Sequence, residues 1–295
     1  MIRLGEAKYK NTLKAMWRLC FPQDTETFIS FYFTKMYKNA ETLVYIENDQ
    51  PVASLQMIPF QLKTGRYVSL AGYISGAMTH PDFRKKGYMA QLLKTSFNVM
   101  KEKGYDHTFL IPQEEWLFDF YEKYGYMKAF PYAIPTLITE KREETETASF
   151  QQNPGIEIVQ APISVEKDVE KTAERYWHIY SAFLMEKPNV VLKNRFQFAD
   201  MLSDFFEGKG ILFAGEKGMA FTVTKGDQII LKEFFYRDKE VKQLFLTSIR
   251  HHYANDKIVI FNDPDAPIAG YKGMIQCLND AQDTITDIYM SMMLD

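Results

Sequence analysis

The amino-acid sequence predicts an α/β fold, with mixed sheets and helices on them, divided into two domains. Three observations carry this expectation. The chain has 295 residues, more than one ordinary α/β domain uses and enough for two. In the first half, an apolar strand runs into a basic, glycine-containing turn, then into an amphipathic helix and a second strand, the pattern of a βαβ unit. The second half repeats the order of elements of the first.

Lys8 to Phe21 carries Leu13, Trp17 and Phe21 on one helical face, and Thr25 to Tyr37 carries Phe28, Phe31, Tyr32 and Met36 on another, with Pro22 between them. Two helices therefore open the chain. Thr42 to Glu47 is a β-branched and aromatic strand, Asn48 to Pro51 a turn, and Val52 to Leu62 a longer strand that Pro59 interrupts. After the turn Lys63-Thr-Gly65, Arg66 to Thr79 forms the strand that ends at His80-Pro81. Met89, Leu92, Leu93, Phe97 and Met100 then recur at helical spacing, so a helix starts near Gly87 and closes at Gly104. Asp106 to Ile111 reads as a strand, and Glu114 to Tyr124 as a short helix stopped by Gly125.

Residues 141–155 are charged and polar without hydrophobic period and close on Asn-Pro-Gly, as a linker would. The expected domains are thus 1–140 and 156–295. In the second, Lys167 to Phe183 and Val190 to Phe206 read as helices. Gly210 to Ala214, Met219 to Thr224 and Gln228 to Tyr236 read as a meander, Lys239 to Tyr253 as a helix, and Lys257 to Phe261 as a strand. A second βαβ results. Its turn, Arg237-Asp-Lys-Glu240, has no glycine and two acids.

Hydrophobic residues are 46% and charged residues 25% of the chain, which supports a sizeable core and argues against disorder. Net charge is −3, the wrong balance for a nucleic-acid binder, which needs a basic surface. The two cysteines, Cys20 and Cys277, are far apart, so no disulfide framework is expected and a reducing compartment is. No apolar run approaches membrane-spanning length and no signal-peptide core opens the chain, which together point to the cytoplasm. No Cys/His cluster has zinc spacing, so no metal is expected. A homo-oligomer is compatible with the sequence.

The strongest chemical signal is Arg84-Lys85-Lys86-Gly87 at the start of a helix. Backbone N–H groups there lack intrahelical partners, the helix dipole is positive, and Gly87 lets a phosphate approach the backbone. A basic turn capping a surface helix would use the same residues, and a lone Lys-Lys-Gly does not separate the two readings. Further along, Tyr121-Glu-Lys-Tyr-Gly125-Tyr126 places a tyrosine four residues before the glycine that ends a short helix.

Together, Arg84-Lys-Lys-Gly87-Tyr-Met89 and Tyr121-x-x-x-Gly125-Tyr126 resemble the two signatures of the GNAT N-acetyltransferases. Met89, where the common pattern has glycine or alanine, is similar to the tandem-domain branch of enhanced-intracellular-survival-like acetyltransferases. The resemblance implies two tandem GNAT-like domains, the first catalytic and the second degenerate, with acetyl-CoA as acyl donor and an amine as acceptor. It implies that the strands Tyr73 to Thr79 and Asp106 to Ile111 splay, so that pantetheine amides pair with the backbone of Ala77, Met78 and Thr79. Arg84, Lys85, Lys86, Gly87, Tyr88, Met89 and Ala90 would lie around the pyrophosphate. Tyr121 would be the general acid that protonates the leaving thiolate. The family's usual asparagine is replaced by Glu114, and its usual glutamate base is missing from Tyr73-Ile-Ser-Gly-Ala-Met78. His80 reads as a structural turn histidine, and the base implied by relatives is Asp295 with its terminal carboxylate, if the tail returns to the first domain. The tail 289–295 resembles the strand that follows the second domain in the tandem family. The alternative reading is a non-catalytic acyl-CoA-binding or regulatory protein, and a larger acyl group than acetyl stays open.

Overall fold

In the computed structural model, which describes residues 1–139, 155–160, 166–255, 257–263, 266–279 and 285–293, the chain forms two units. One comprises Met1–Phe130 and Tyr271–Ile288, the other Pro131–Gly270 and the tail from Tyr289. This differs from the expected division at residues 141–155. The segment Tyr271–Ile288 returns to the first unit, because strand pairing there is set by which sheet edge is open and not by proximity in sequence. The expected linker lies outside the described residues except for Gly155.

The first unit begins with β1 (Ile2–Leu4), α1 (Lys10–Cys20) and α2 (Glu26–Phe31). α2 starts where Thr25 accepts the Phe28 N–H at 3.1 Å and continues into one π-helical stretch, Tyr32–Met36. The sheet follows as β2 (Thr42–Glu47), β3 (Gln50–Thr64) and β4 (Tyr67–Thr79). β3 passes through Pro59, which stands opposite Gly72, so the expected interruption does not occur. An antiparallel residue turns its N–H to one neighbour only, and a proline there leaves the other ladder intact.

Next come α3 (Tyr88–Glu102), β5 (His107–Leu110), α4 (Glu115–Glu122) and β6 (Met127–Ala133). β4 and β5 are parallel, with α3 as the crossover. The second unit contains β7 (Thr136–Ile138), β8 (Glu157–Gln160), α5 (Glu166–Glu186), β9 (Asn189–Leu192) and α6 (Arg195–Glu207). β10 (Ile211–Gly215), β11 (Gly218–Lys225), β12 (Gln228–Tyr236), α7 (Lys239–Tyr253) and β13 (Ile258–Ile260) complete its βαβ, and β14 (Ile268–Cys277) then leads back.

The first sheet has the order β1-β2-β3-β4-β5-β14-β6 and the second β7-β13-β12-β11-β10-β8. In the first, β14 pairs antiparallel with β5, from Met274 opposite Leu110 to Cys277 opposite His107. In the second, β12 and β13 are parallel and β7 closes the edge of β13.

Two expectations for the second half need correction. The helix expected over Val190 to Phe206 is a strand and a helix, because Val190 and Val191 prefer extended backbone and Asn194 starts α6 with a reciprocal capping box to Gln197. The tail, expected as a strand following the second domain, makes among the described residues only a single bridge, between Tyr289 and Val190. Through Met293 it belongs to the second unit, where Glu233 accepts the Tyr289 hydroxyl at 2.8 Å and the Met292 N–H at 2.7 Å. Asp295 lies outside the described residues.

In each unit helices cover both faces of the sheet. α1, α2 and the π stretch bury Leu13, Trp17, Ile29, Tyr32 and Phe33 against Val44, Ile46 and Met78. α3 and α4 bury Leu92, Leu93, Met100, Phe118 and Tyr121 against Leu55, Met57 and Ile74. The same division puts α5 and α6 on one face of the second sheet, around Tyr180, Phe198 and Leu202, and α7 on the other, around Phe245 and Ile249. Apolar burial of this kind supplies about 25 cal/mol per Å².

Candidate functional site

β4 and β5 pair over a short length only, from Ala71 opposite His107 to Tyr73 opposite Phe109. Beyond Tyr73 the two strands part. Two features of β4 explain this. Gly76 has φ +55°, and the ladder with β3 shifts between Ser54 and Gln56, a bulge that bends the strand. A Cβ on Gly76 would lie 2.5 Å from Cζ3 of Trp17, so the bulge is seated directly under the indole.

The parting strands are braced on both sides of the bulge. Before it, Tyr126 donates to Thr108 Oγ1 at 3.1 Å while Thr108 spends its own proton on the Gly72 carbonyl at 3.0 Å, tying β4 to β5 near their last paired residues. Beside it, Ser75 Oγ, the Tyr32 hydroxyl and Gln56 Oε1 form a chain with steps of 2.9 and 2.8 Å, and Gln56 Nε2 donates to the Met36 carbonyl at 2.6 Å. Burial pushes the Tyr32 pKa up, so this hydroxyl remains a neutral brace.

At the far end of β4 the His80 N–H donates to the Val52 carbonyl at 2.9 Å. Thr79, one residue earlier, therefore turns its backbone groups to the opposite edge. Its carbonyl accepts from Arg84 Nε at 3.3 Å and Cys20 Sγ at 3.4 Å. His80 Nδ1 accepts the Asp82 N–H at 3.3 Å and caps the short 3-10 turn Pro81–Phe83. That is a structural use of the ring.

The turn then opens onto α3. Lys85 (φ +63°) and Gly87 (φ +78°) both have left-handed backbone, Gly87 is the N-cap, and no side chain caps the helix. A Cβ at Gly87 would meet nothing within 4 Å. No side chain takes up the N–H groups of the first turn, and Arg84, Lys85 and Lys86 beside it are exposed. The basic side chains do not all point there. Arg84 folds back on Thr79, and Lys86 Nζ lies 3.6 Å from Glu47 Oε1.

Ala77, Tyr88 and Met89 pack at the margin of the apolar cluster that contains Tyr121, and Ala90 is half-buried beside them. Met78 instead points into the cluster with Trp17 and Leu13. Tyr121 is 7% exposed, with its ring edge-on to Tyr126 at 5.7 Å and to Phe120 at 5.2 Å. Burial pushes its pKa up to about 12, so it keeps its proton at neutral pH. Gly125 (φ +89°) ends α4 and sets Tyr126 back against the sheet. Glu114, the N-cap of α4, accepts from the Trp116 indole.

So the folding of the chain unites the 84–90 turn, Ala77 to Thr79 and Tyr121 around one parting of strands. Four participants carry no signal in the sequence that assigns them to this site: Glu47, Cys20, Thr108 and Trp17. A glycine inside the strand pattern, Gly76, was the one local signal of the bulge. Among the described residues no group of three or more His, Cys, Asp or Glu side chains could hold a metal ion, and no helix is long and apolar enough to cross a membrane.

Solved structures with the same fold extend across both units. A conserved protein of Enterococcus faecalis, described as a probable N-acyltransferase, shares 14% identity at a TM-score of 0.69, covering 94% of this chain and 72% of its own. A GCN5-related N-acetyltransferase of Kribbella flavida gives 14%, 0.69, 94% and 71%. Eis1 of Mycobacterium abscessus gives 11%, 0.65, 95% and 74%. The fold is therefore the tandem GNAT-like one. No curated protein matches the sequence significantly. The family profile described as acetyltransferase (GNAT) domain matches residues 1–129, the stretch that holds the open turn, the parting strands and Tyr121, and the chain thus carries a GNAT acetyltransferase domain, an acyltransferase module, in its first unit.

Proposed function

We propose that the first unit transfers an acetyl group from acetyl-CoA to the nitrogen of an amine acceptor. The observation that carries this reading is the uncapped, open turn at Gly87 next to the edge of β4 that parts from β5. The turn supports a pyrophosphate seat, and the edge supports an extended pantetheine arm bonded to backbone groups of Ala77 and Thr79. Met78 contributes its side chain to the core beneath.

In this reading the amine nitrogen forms a bond to the thioester carbonyl carbon, and charge develops on the carbonyl oxygen. Collapse breaks the C–S bond, and Tyr121 gives its proton to the departing thiolate. The amine loses a proton to water or to a base that the described residues do not identify, since β4 carries no carboxylate. Asp295 stays a proposal for that role. The second unit is read as a degenerate copy, and the chain as a cytoplasmic enzyme with neither nucleic-acid nor membrane partners.

The missing strand carboxylate favours one other reading, a protein that binds acyl-CoA without turning it over. Screening amines, aminoglycosides and peptides for release of free CoA decides between them. Release with any acceptor, abolished in Tyr121→Phe at unchanged CoA affinity, supports the transferase. Tight CoA binding with no release from any acceptor overturns it.

A further inference from the structure

One charge at the 84–87 turn has the wrong sign for a phosphate seat. Glu47, the last residue of β2, holds its carboxylate 3.6 Å from Lys86 Nζ and accepts the hydroxyl hydrogen bond of Tyr88, the first residue of α3. The placement is braced by ring contacts. Tyr88 stacks on Tyr45, with ring centroids 4.1 Å apart and planes at 21°, and Tyr45 and Glu47 share one face of β2. Lys86 is steered from the other side by Phe83, whose ring centroid is 4.7 Å from Nζ. Glu47 is the more sheltered of the pair, with 29% of its side chain exposed against 46% for Lys86.

A carboxylate at the first turn of an uncapped helix does what a bound anion would do, since it complements the dipole and the nearby cation. We propose that Glu47 is a positioning residue that sets affinity for the acyl donor: an anion built into the fold, which holds Lys86 and Tyr88 while the turn is empty and yields Lys86 to the donor's phosphates. This rests on the reading of the turn as the phosphate seat. The lysine is preorganised by the pairing, but the phosphates meet a like charge only a few ångströms away. Donor affinity is thereby held below what the cationic turn alone would reach, and the same repulsion hastens departure of free CoA after transfer.

Glu47→Gln removes the charge and keeps an acceptor for Tyr88. Calorimetric titration of the full chain with CoA, and with pantetheine, which lacks the phosphates, tests the idea. CoA should bind about three- to tenfold more tightly to the variant, as expected for one like charge at a partly exposed site. Pantetheine affinity should not move, and the gain for CoA should shrink as salt rises from about 50 to about 500 mM. In steady-state assays KM for the acyl donor should fall and KM for the amine should not. Unchanged or weaker CoA binding, or an equal shift for pantetheine, overturns the proposal. Gly87→Val, titrated alongside, separates the two levels. If it binds CoA as the parent does, the turn is not the phosphate seat and both ideas fall. If it loses CoA while Glu47→Gln gains nothing, only the role of Glu47 falls.

Discussion

At Gly87 the head of α3 is left open, whereas at Asp238 the head of α7 is closed by its own side chain. Both helices follow a strand of a parallel pair and cross to its partner, so the two turns occupy the same place in two copies of one βαβ unit. In the first, the N-cap is a left-handed glycine, no side chain caps the helix, and a Cβ on that glycine would meet nothing within 4 Å. In the second, Asp238 has extended backbone and its Oδ1 accepts the Val241 N–H at 2.9 Å. Arg237 is paired with Glu186 and lies over the Phe183 ring at 4.5 Å. A helix start that satisfies itself has no use for an external anion. The comparison teaches that one capping residue separates an open helix head from a closed one, without any change in topology.

The comparison extends to the following strand. After β5 the first unit has α4 with Tyr121, while among the described residues β13 is followed by no helix before β14. If all chemistry resides in the first copy, a single change there should silence the enzyme. Tyr121→Phe is expected to lower kcat about 100-fold or more, the usual span for a lost general acid, with CoA affinity intact by calorimetry. Burial holds this hydroxyl's pKa up to about 12. The wild-type rate should therefore show no loss of its proton between about pH 8 and pH 10. The corresponding stability contribution is fully present below the unfolded tyrosine value near 10 and is lost as pH rises toward 12, so alkaline unfolding should be less steep in the phenylalanine variant. A rate within a factor of two of the parent would move catalysis elsewhere.

The turn itself is the next test. Gly87→Val puts a β-branched side chain at φ +78° and in the space left for a phosphate, and should weaken CoA binding roughly 30- to 100-fold. Binding at the parent level would break the comparison at its centre. Stoichiometry sharpens it: titration should give one CoA per chain, and two equivalent molecules would show that the closed head of α7 still binds.

Asp238→Ala should cost about 1 kcal/mol in chemical denaturation, the typical value of a lost N-cap, and leave CoA stoichiometry at one. A second CoA appearing in this variant would mean that the cap alone blocks the site. The smallest effect is expected for Arg84→Gln. An exposed guanidinium turned onto the Thr79 carbonyl should change CoA affinity about two- to fivefold, and a loss as large as that of Gly87→Val would show that the side chain swings into the seat.

How far the site can be read from the chain differs residue by residue. Gly87 and Tyr121 are legible because each belongs to a pattern that is local: a glycine before helical periodicity, and a tyrosine one turn before a helix-ending glycine. Gly76 is half legible, since a glycine inside a strand marks a bulge but not the indole that fills the space beside it. Glu47 is silent. It lies 39 residues before Lys86 in a strand of ordinary composition, and only the β2-β3-β4 meander brings it to the head of α3. Val190 and Val191 mislead for the opposite reason. Their apolar spacing continues the helical period of Phe198 and Leu202, while their branched side chains and the Asn194 cap put the boundary between them.

Short-range forces therefore account for what composition and spacing convey here: two α/β copies, βαβ units with their helices and strands, a basic glycine turn in the first copy and an acidic, glycine-free one in the second. Propensity, capping and hydrophobic period act over a few residues, so they are written where they act. The return of Tyr271–Ile288 to the first unit, the place of β14 between β5 and β6, the edge pairing of β7 with β13, the bulge under Trp17 and the carboxylate beside Lys86 follow from long-range pairing and packing. Those depend on which edges and volumes remain once all elements have formed, a property of the assembled sheets that no window of the chain contains.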